Sequence, residues 1–169
     1  LGRRYDKEAC SAARALEIAG ERWSLLILRN ALFAGMTRFT DFQQSLEIAP
    51  NILTKRLESF VKEGLMTTSK GESEHLEYIL TSKGLDFKPV IIALTEWGDK
   101  WAAPDGPPII YQHEGCGGRI EQHVICKTCE SNAKMKHVIA KETKAMTVIK
   151  EKNLNDEEKS TMQEKAVDI

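Results

Sequence analysis

Four side chains in the C-terminal third of the chain have the spacing of a zinc site. His113, Cys116, Cys126 and Cys129 form the pattern His-x2-Cys-x9-Cys-x2-Cys. Two ligands separated by two residues can point at one centre, and Zn²⁺ prefers four such nitrogen and sulfur ligands in a tetrahedron. We therefore expect one structural Zn²⁺ per chain, with His123 as a rival fourth ligand. A redox pair of Cys126 and Cys129, or thiols that bind nothing, are the alternatives.

The fourth cysteine, Cys10, stands apart from this cluster and directly precedes a predicted helix. Backbone N–H groups at a helix start, together with the helix dipole, favour the thiolate, which is the form that reacts with oxidants. Arg14 follows one turn later on the same face. Cys10 is therefore a candidate sensor of oxidants or electrophiles. The alternative is a small buried hydrophobic side chain beside an alanine-rich helix.

The segment "APNILTKRLESFVKEGL", residues 49–65, has the periodicity of an amphipathic helix. At about 100° per residue, its apolar side chains share one arc and its polar side chains gather on the opposite side. The apolar set is Leu53, Leu57, Phe60 and Val61, and the polar set is Asn51, Lys55, Glu58 and Lys62. The apolar face belongs to a core. The polar face is either simply solvated or a contact surface.

The elements around this helix favour a contact surface. In chain order we predict helices over 11–20 and 23–33, then an extended piece near Phe39 and a short helix opened by Thr40, with Gln43 completing a capping box. A helix from Pro50 and a hairpin with its tip at 70–75 follow. The next helix starts at Ser82, and Pro89 either kinks it or marks its start. This order is typical of a winged helix-turn-helix, whose second paired helix enters the DNA major groove.

Only side chains near the N-terminal half of such a helix reach base edges, and here they are Asn51, Thr54 and Lys55. Asn can form two hydrogen bonds with adenine, and Lys can donate to guanine. The other candidate DNA-binding residues are Arg38, Thr40, Arg56, Lys70 and His75. Arg56 flanks the apolar arc, so bracing the fold is an equally good interpretation of its role.

The stretches "WSLLILRNALFAGMTRFTDFQQSLEIAPNILTKRLESFVKEGLMTTS" and "LEYILTSKGLDFKPVIIALTEW" resemble the HxlR family of bacterial and archaeal transcription regulators, relatives of the MarR group. The resemblance implies a winged-helix homodimer that binds a promoter and responds to a chemical signal. In some members a cysteine at the position of Cys10 is the sensor. Two features depart from the family pattern. Ala49 replaces a helix-capping residue, and the wing carries His75 and two glutamates, which disfavour its insertion into the minor groove.

The 169 residues, 41% of them hydrophobic, suffice for one domain with an appendage. The predicted fold class is mainly α with a small β-hairpin: a winged helix-turn-helix with a C-terminal cysteine-rich, zinc-ribbon-like extension. The breaker "PDGPP" at 104–108 sets the predicted boundary. We predict a DNA-binding and dimerisation domain over 1–104, a Cys/His-rich zinc-binding segment over 105–130 and a polar tail over 131–169.

The expected function is transcription regulation by a homodimer that binds double-stranded DNA at a roughly palindromic operator and responds to an oxidant or small molecule. Its interface would use the N-terminal helix and the apolar stripe over 90–101. The formal net charge of −1 counts weakly against DNA binding. A protein-interaction module of the transcription machinery, built from a winged helix and a zinc ribbon, is therefore the alternative. No residue pattern predicts an enzyme. Because no apolar run is long enough for a membrane span, we expect a cytoplasmic protein.

Overall fold

The structure is a computed structural model that describes residues 10–71 and 74–167, with the backbone alone for 156–167. Its helices are α1 (Ser11–Ala19), α2 (Arg22–Phe33), α3 (Phe39–Leu46), α4 (Pro50–Lys62), α5 (Ser82–Leu85), α6 (Lys88–Trp101) and α7 (Lys144–Val167), with a 3₁₀ turn at Met135–His137. Its strands are β1 (Met66–Lys70) and β2 (Leu76–Leu80). None of the helices in the described part of the chain is long and apolar enough to cross a membrane.

The chain divides into two compact units. The winged-helix unit spans Ile18–Val124, and the second unit combines the described residues of 1–17 with those of 125–169. The predicted boundaries at residues 104 and 130 stay predictions.

The core of the winged-helix unit is built around α2, as its apolar sequence predicts. Helix α2 contacts α3, α4 and α6. The side chains with no more than 1% of their surface exposed are Ile27, Leu28, Phe42, Leu53, Leu57, Phe60, Leu65, Met66 and Ser24. Their spacing in α4 confirms the predicted apolar arc, because Leu53, Leu57 and Phe60 are the buried residues of that helix. Burial of each of these apolar side chains stabilises the fold by roughly 1.5–3 kcal/mol before the entropy cost of ordering the chain is subtracted.

A buried polar contact ties α2 to α3. The Asn30 side-chain amide donates to Ser45 Oγ at 3.0 Å. Its carbonyl oxygen accepts from Arg29 Nε at 3.0 Å and from Arg29 Nη2 at 2.9 Å. Asn30 has 5% of its surface exposed, so these hydrogen bonds replace the water that it loses on folding. The contact fixes the spacing between the central helix and the helix that precedes α4.

Strands β1 and β2 form the predicted antiparallel hairpin, with Met66 opposite Leu80 and Lys70 opposite Leu76. A short third segment joins it, because Arg38 bridges to Glu77 and Tyr78 N–H donates to the Thr37 carbonyl at 2.8 Å. At the tip, Glu74 N–H donates to the Gly71 carbonyl at 2.9 Å. One of the two tip glutamates, at position 72, lies outside the described residues. The contacts of Arg38 with Glu77 and of Thr37 with Tyr78 attach the hairpin to the chain just ahead of α3.

The predicted start of α3 is wrong by two residues, because the capping box placed Thr40 at the N-cap position that Arg38 occupies. The helix begins at Phe39, with Arg38 in extended conformation as its N-cap residue and no side-chain cap. Thr40 lies inside the helix, where its hydroxyl contacts Asp41 Oδ1 at 3.3 Å rather than opening a capping box. The physical reason is the bridge to Glu77, which holds Arg38 extended and lets the helix start directly after it. Pro89 was predicted either to kink a helix or to mark its start, and the structure shows the second outcome, with Pro89 in the first turn of α6.

The C-terminal tail also differs from its prediction. Its sequence indicated partly strand and partly frayed helix, with a capping box opened by Asn155. Instead α7 runs without interruption over Lys144–Val167, and Asn155 lies within it. Neither Gly nor Pro occurs in that range, and most of its residues favour helix. Lys150, in the second turn of α7, places its Nζ 2.9 Å from Oε1 of Glu142 and so links the helix to the segment that precedes it.

Candidate DNA-binding surface and cysteine sites

The N-terminal half of α4 presents polar side chains outward. Asn51, Thr54 and Lys55 are exposed, whereas Leu53 and Leu57 have none of their surface exposed. Because residues three and four apart lie on one face of a helix, the three polar groups form a compact patch over the first two turns. The patch combines an amide, a hydroxyl and an ammonium group. These groups can donate to and accept from base edges.

The start of α4 lacks a side-chain cap. Ala49 is the N-cap residue and Pro50 occupies the first turn. The side-chain oxygen Oδ1 of Asn51 accepts from Ile52 N–H at 3.0 Å, and the Thr54 hydroxyl donates to the Pro50 backbone carbonyl at 2.9 Å. Lys55 forms no ion pair or hydrogen bond through its side chain within the described residues. The first half of the helix therefore offers one unpaired ammonium group, that of Lys55, to an anion.

Two arginines among the predicted DNA-binding residues are held by carboxylates. Arg38 Nε donates to Glu77 Oε1 at 3.2 Å, with 44% of the Arg38 side chain exposed. Arg56 is less exposed, and its Nη2 lies 3.7 Å from Glu21 Oε1. The Arg56 Nε atom is buried without a hydrogen-bond partner among the described residues. The ion pair to Glu21 connects α4 to the start of α2, so Arg56 contributes to helix packing.

The wing combines basic and acidic side chains. Lys70 Nζ lies 3.5 Å from Glu74 Oε2, and His75 is exposed at the base of the tip. On β2, burial raises the pKa of Tyr78, and the nearby Glu58 carboxylate raises it further. The mixed charge of Lys70, Glu74 and the other wing residues weakens attraction of the wing to phosphate but leaves Lys70 available at its edge. Outside the wing, Thr40 is exposed in the first turn of α3.

Cys10 lies at the N-terminal end of α1. Its carbonyl accepts the first helical hydrogen bond, from Arg14 N–H at 3.1 Å, and the residue is exposed. It is a free cysteine. An exposed thiol ahead of the first helical N–H groups is accessible to small electrophiles.

The other predicted ligands occur as two separate pairs. In the winged-helix unit, His113 Nδ1 and Cys116 Sγ are 3.4 Å apart. In the second unit, hydrogen bonds from Ser131, followed by one from the Cys126 thiol, lower the pKa of Cys129 to about 7. No three His, Cys, Asp or Glu side chains among the described residues form a group that could hold a metal ion. The rival ligand His123 instead lies 3.8 Å from Glu121 Oε2, outside both pairs.

Sequence reasoning missed the contacts that attach the first pair to the winged helix. The Tyr111 ring lies 4.3 Å from the Phe33 ring, between centroids, and its hydroxyl is 3.3 Å from Thr95 Oγ1. Gln122 N–H donates to Glu96 Oε1 at 3.1 Å, and its side-chain amide donates to the Pro89 carbonyl. In the sequence, Tyr111 is only an aromatic residue near a predicted cysteine turn, which does not indicate its contacts. The positions of α2 and α6 show that Tyr111 contacts Phe33 and Thr95.

The fold is that of a winged helix-turn-helix protein of the transcription-regulator class, because it has a central helix, a helix pair with an outward polar face and an attached two-stranded wing. More particularly, residues 18–106 match the HxlR-like helix-turn-helix family, and the chain belongs to that family. The resemblance seen in the sequence is thereby confirmed. The proteins of this class regulate transcription rather than catalyse reactions.

The relatives agree with this assignment. The uncharacterised helix-turn-helix transcriptional regulator Mb3122 of Mycobacterium bovis is 40% identical over 132 residues, which cover 76% of this chain and 82% of the relative. The crystal structure of PA1607, described as a candidate transcription factor, is 34% identical, with a TM-score of 0.74 over 82% of this chain and 99% of its own. A candidate transcription factor from Pseudomonas aeruginosa, PA1374, is 32% identical, with a TM-score of 0.55 over 79% and 92%.

Proposed function

We propose that the protein is a homodimeric, sequence-specific DNA-binding regulator that reads the major groove with the first half of α4. The observation that carries this proposal is the exposed patch of Asn51, Thr54 and Lys55 opposite the buried side chains of the same helix. A major groove about 12 Å wide admits one helix, and side chains near its N-terminus reach the bases. Asn51 would pair with adenine, Lys55 would donate to guanine, and Thr54 would adapt to either.

The surrounding residues would contact the DNA backbone. Arg38 and Thr40 flank the start of α3, and Lys70 and His75 flank the wing tip, all with exposed side chains. Backbone contacts set the register of the helix without reading sequence. We assign Arg56 to bracing α4 against Glu21, because one of its nitrogens is buried and another lies near that carboxylate. The nearly balanced charge of the chain implies modest affinity for random DNA.

The dimer would form through α6 and the N-terminal helix. Helix α6 exposes Val90, Leu94, Trp97 and Trp101, the last two with 62% and 67% of their surface accessible. In α1, Leu16 is 55% exposed. Apolar stripes of this kind lower their free energy by pairing with a second copy of the chain. Two-fold symmetry then requires a roughly palindromic operator whose half-sites lie about 10 bp apart.

The signal would act at Cys10. Its exposed thiol lies at the start of α1, one of the two helices proposed to pair in the dimer. Addition of an electrophile there would disturb the interface and change the spacing of the two α4 helices. DNA affinity would then fall.

The function is tested by footprinting on the DNA next to the gene, followed by titration of the protected sequence with matched lysine variants. Lys55→Ala should weaken specific binding by about 1–3 kcal/mol and relax the base preference at one position. Lys62→Ala removes the same charge from the last turn of α4 and should change specific binding little. Arg38→Ala should weaken binding to all sequences and flatten the salt dependence.

Two results would contradict the proposal. Equal losses for Lys55→Ala on the protected sequence and on random DNA would remove α4 as the base-reading element. Absence of any protected site, with the protein folded and dimeric, would favour the protein-interaction module instead.

A further inference from the structure

We propose that Cys126 and Cys129 form a reversible disulfide when the protein meets a hydroperoxide, with Cys129 as the thiol that reacts first and Cys126 as the thiol that completes the bond. Both residues lie in the second unit, which includes Ile125–Ile169. We call the turn over residues 125–132, which carries them, the dithiol turn. This modification site goes beyond the proposed DNA-binding function and does not involve Cys10.

The dithiol turn is closed by its own backbone. The residues at its two ends pair as an antiparallel bridge. Within it, Cys126 N–H donates to the Ser131 carbonyl at 3.0 Å, and Glu130 N–H donates to the Cys126 carbonyl at 2.8 Å. A hydrogen bond between residues four apart closes a single turn, which brings residues three apart to the same side of the chain. The backbone therefore holds Cys126 and Cys129 next to each other.

The two sulfur atoms are also in contact. Both cysteines are free, and the Cys126 thiol donates a hydrogen bond to the Cys129 sulfur. A disulfide needs Cα atoms about 4.4–6.8 Å apart, and a closed turn brings residues three apart to about that separation. Rotation of the two side chains then suffices to move the sulfurs from hydrogen-bond contact to bonding distance. The disulfide can therefore form without opening the turn.

The surroundings of the two thiols differ, and the difference sets the order of reaction. Cys129 is exposed, whereas Cys126 is partly buried. Ser131 Oγ lies 3.0 Å from Cys129 Sγ, so its hydroxyl can donate to a thiolate there. Hydrogen bonds from Ser131, followed by the one from Cys126, lower the pKa of Cys129 to about 7. An accessible sulfur of this kind beside a second thiol is the arrangement found in redox-sensitive cysteine pairs.

The reaction takes two steps. The Cys129 thiolate attacks one oxygen of the hydroperoxide, so that an S–O bond forms, the O–O bond breaks and water or an alcohol leaves. The Cys126 thiol then attacks the oxidised sulfur, which forms the S–S bond and releases the second oxygen, with the thiol proton, as water. The two thiols lose two electrons, which reduce the hydroperoxide. A small dithiol reverses the change by thiol–disulfide exchange.

The described residues give this pair of thiols no third ligand for a metal ion. No three His, Cys, Asp or Glu side chains among them form a group that could hold one. Two thiolates alone leave two positions of a tetrahedral Zn²⁺ open, whereas a disulfide needs nothing beyond the two sulfurs. The geometry of the dithiol turn is therefore complete for disulfide formation.

The test uses the full chain, reduced with a phosphine, freed of reductant and treated with hydrogen peroxide. Remaining thiols are alkylated before digestion with trypsin, which cleaves after Lys and Arg. Lys127 lies between the two cysteines, so the disulfide would join the peptides 120–127 and 128–134. Mass spectrometry should find the joined pair after peroxide, and the two separate alkylated peptides after a further treatment with dithiothreitol.

Single cysteine variants assign the two roles. In Cys126→Ser, Cys129 has no partner, so peptide 128–134 should gain the two oxygens of a sulfinic acid. In Cys129→Ser, the partly buried Cys126 should stay largely reduced at the same peroxide dose. Cys10→Ser and Cys116→Ser are the matched controls, and each should form the joined peptides as the wild type does.

Ser131→Ala tests the contact that supports Cys129. It removes the hydroxyl and keeps the carbonyl that closes the turn, so the disulfide should still form but several-fold more slowly at pH 7. Thr128→Ala is the matched control, because the Thr128 hydroxyl lies in the same turn and forms no hydrogen bond within the described residues. Its rate should equal that of the wild type. Equal rates for both variants would contradict the role of Ser131.

Three results would overturn the proposal. The first is wild-type protein in which peroxide drives Cys129 to a sulfinic acid without joining the two peptides, a result that does not depend on whether any variant folds. The second is a disulfide from Cys129 to Cys10, to Cys116 or to a second copy of the chain. The third is about one zinc per chain in the purified protein, lost in Cys126→Ser, with thiols that resist peroxide while the metal is bound.

Discussion

Arg38 combines a structural contact to the wing with an exposed side chain. Its guanidinium group donates to Glu77, thirty-nine residues away, and its backbone bridges to the same residue. This contact attaches the wing to the start of α3. Because 44% of the side chain stays exposed, a phosphate could still reach it. Loss of Arg38 should therefore affect wing position and backbone contact together, whereas loss of Lys55 should affect DNA contact alone.

The exposed thiol of Cys10 is the expected site of reaction with an electrophile. A quinone adds to a thiolate, forming a carbon–sulfur bond, so it should modify the exposed thiol of Cys10 and lower the affinity for the operator. Cys10→Ser should bind the operator as tightly as the wild type and should not respond to the quinone. An oxidant-titrated DNA-binding assay, with peptide mass analysis of the modified thiol, measures both.

Cys126→Ser is the control for this experiment. The pKa of Cys129 near 7 makes that thiol a competitor for the quinone when no metal protects it. A response that persists in Cys10→Ser and disappears in Cys126→Ser would transfer the sensor to the C-terminal cysteines. A protein that loses stability in Cys126→Ser but keeps its quinone response would leave Cys10 as the sensor.

The short helix α5 packs very closely on the chain between α4 and β1. A Cβ atom added at Gly84 would meet Leu80 Cδ2 at 2.8 Å and the Leu65 backbone carbonyl more closely still. That carbonyl already accepts from Thr81 N–H at 2.9 Å, so it cannot move freely. The close approach connects the hairpin to the exit of α4. It therefore sets the position of the wing relative to the helix that would read DNA.

Gly84→Ala should destabilise the protein by about 1–3 kcal/mol, because the new methyl group overpacks against backbone. Gly98→Ala is the matched control. It lies within α6, and nothing among the described residues is within 4 Å of its added Cβ. Alanine is the better helix former, so Gly98→Ala should stabilise the protein by about 0.5–1 kcal/mol. Urea unfolding at equal protein concentration measures both changes. An unchanged midpoint in Gly84→Ala would show that α5 is not packed as described.

The exposed apolar stripe of α6 is the surface through which two copies of the chain are proposed to pair. Trp97→Glu places a charge among Val90, Leu94 and Trp101 and should convert the dimer to a monomer at micromolar concentration. Leu85→Glu is the control, because Leu85 is 49% exposed on α5 rather than on α6. It should leave the dimer intact. Sedimentation equilibrium distinguishes the two states, and a wild-type protein that sediments as a monomer would contradict the proposed interface.

Much of the winged helix was predictable from the sequence, because its signals are local. The four-residue and three-residue spacing of Leu53, Leu57 and Phe60 sets the buried face of α4, and Pro50 sets its start. Alternation around a polar tip identifies the hairpin. Each signal lies within one or two turns of helix or one strand pair, where backbone preference and side-chain periodicity act directly.

The remaining features depend on residues that are distant in the sequence. The start of α3 follows from a bridge between Arg38 and Glu77, and the support of α6 follows from Tyr111 and Gln122. Partners this far apart are chosen by packing, which no local pattern encodes. The element order of the winged helix and the apolar arc of α4 could be predicted from the sequence alone, whereas the helical tail could not. The structure was needed to show which charged side chains are paired, because the ion pairs of Arg38 with Glu77 and of Arg56 with Glu21 join residues that are distant in the sequence.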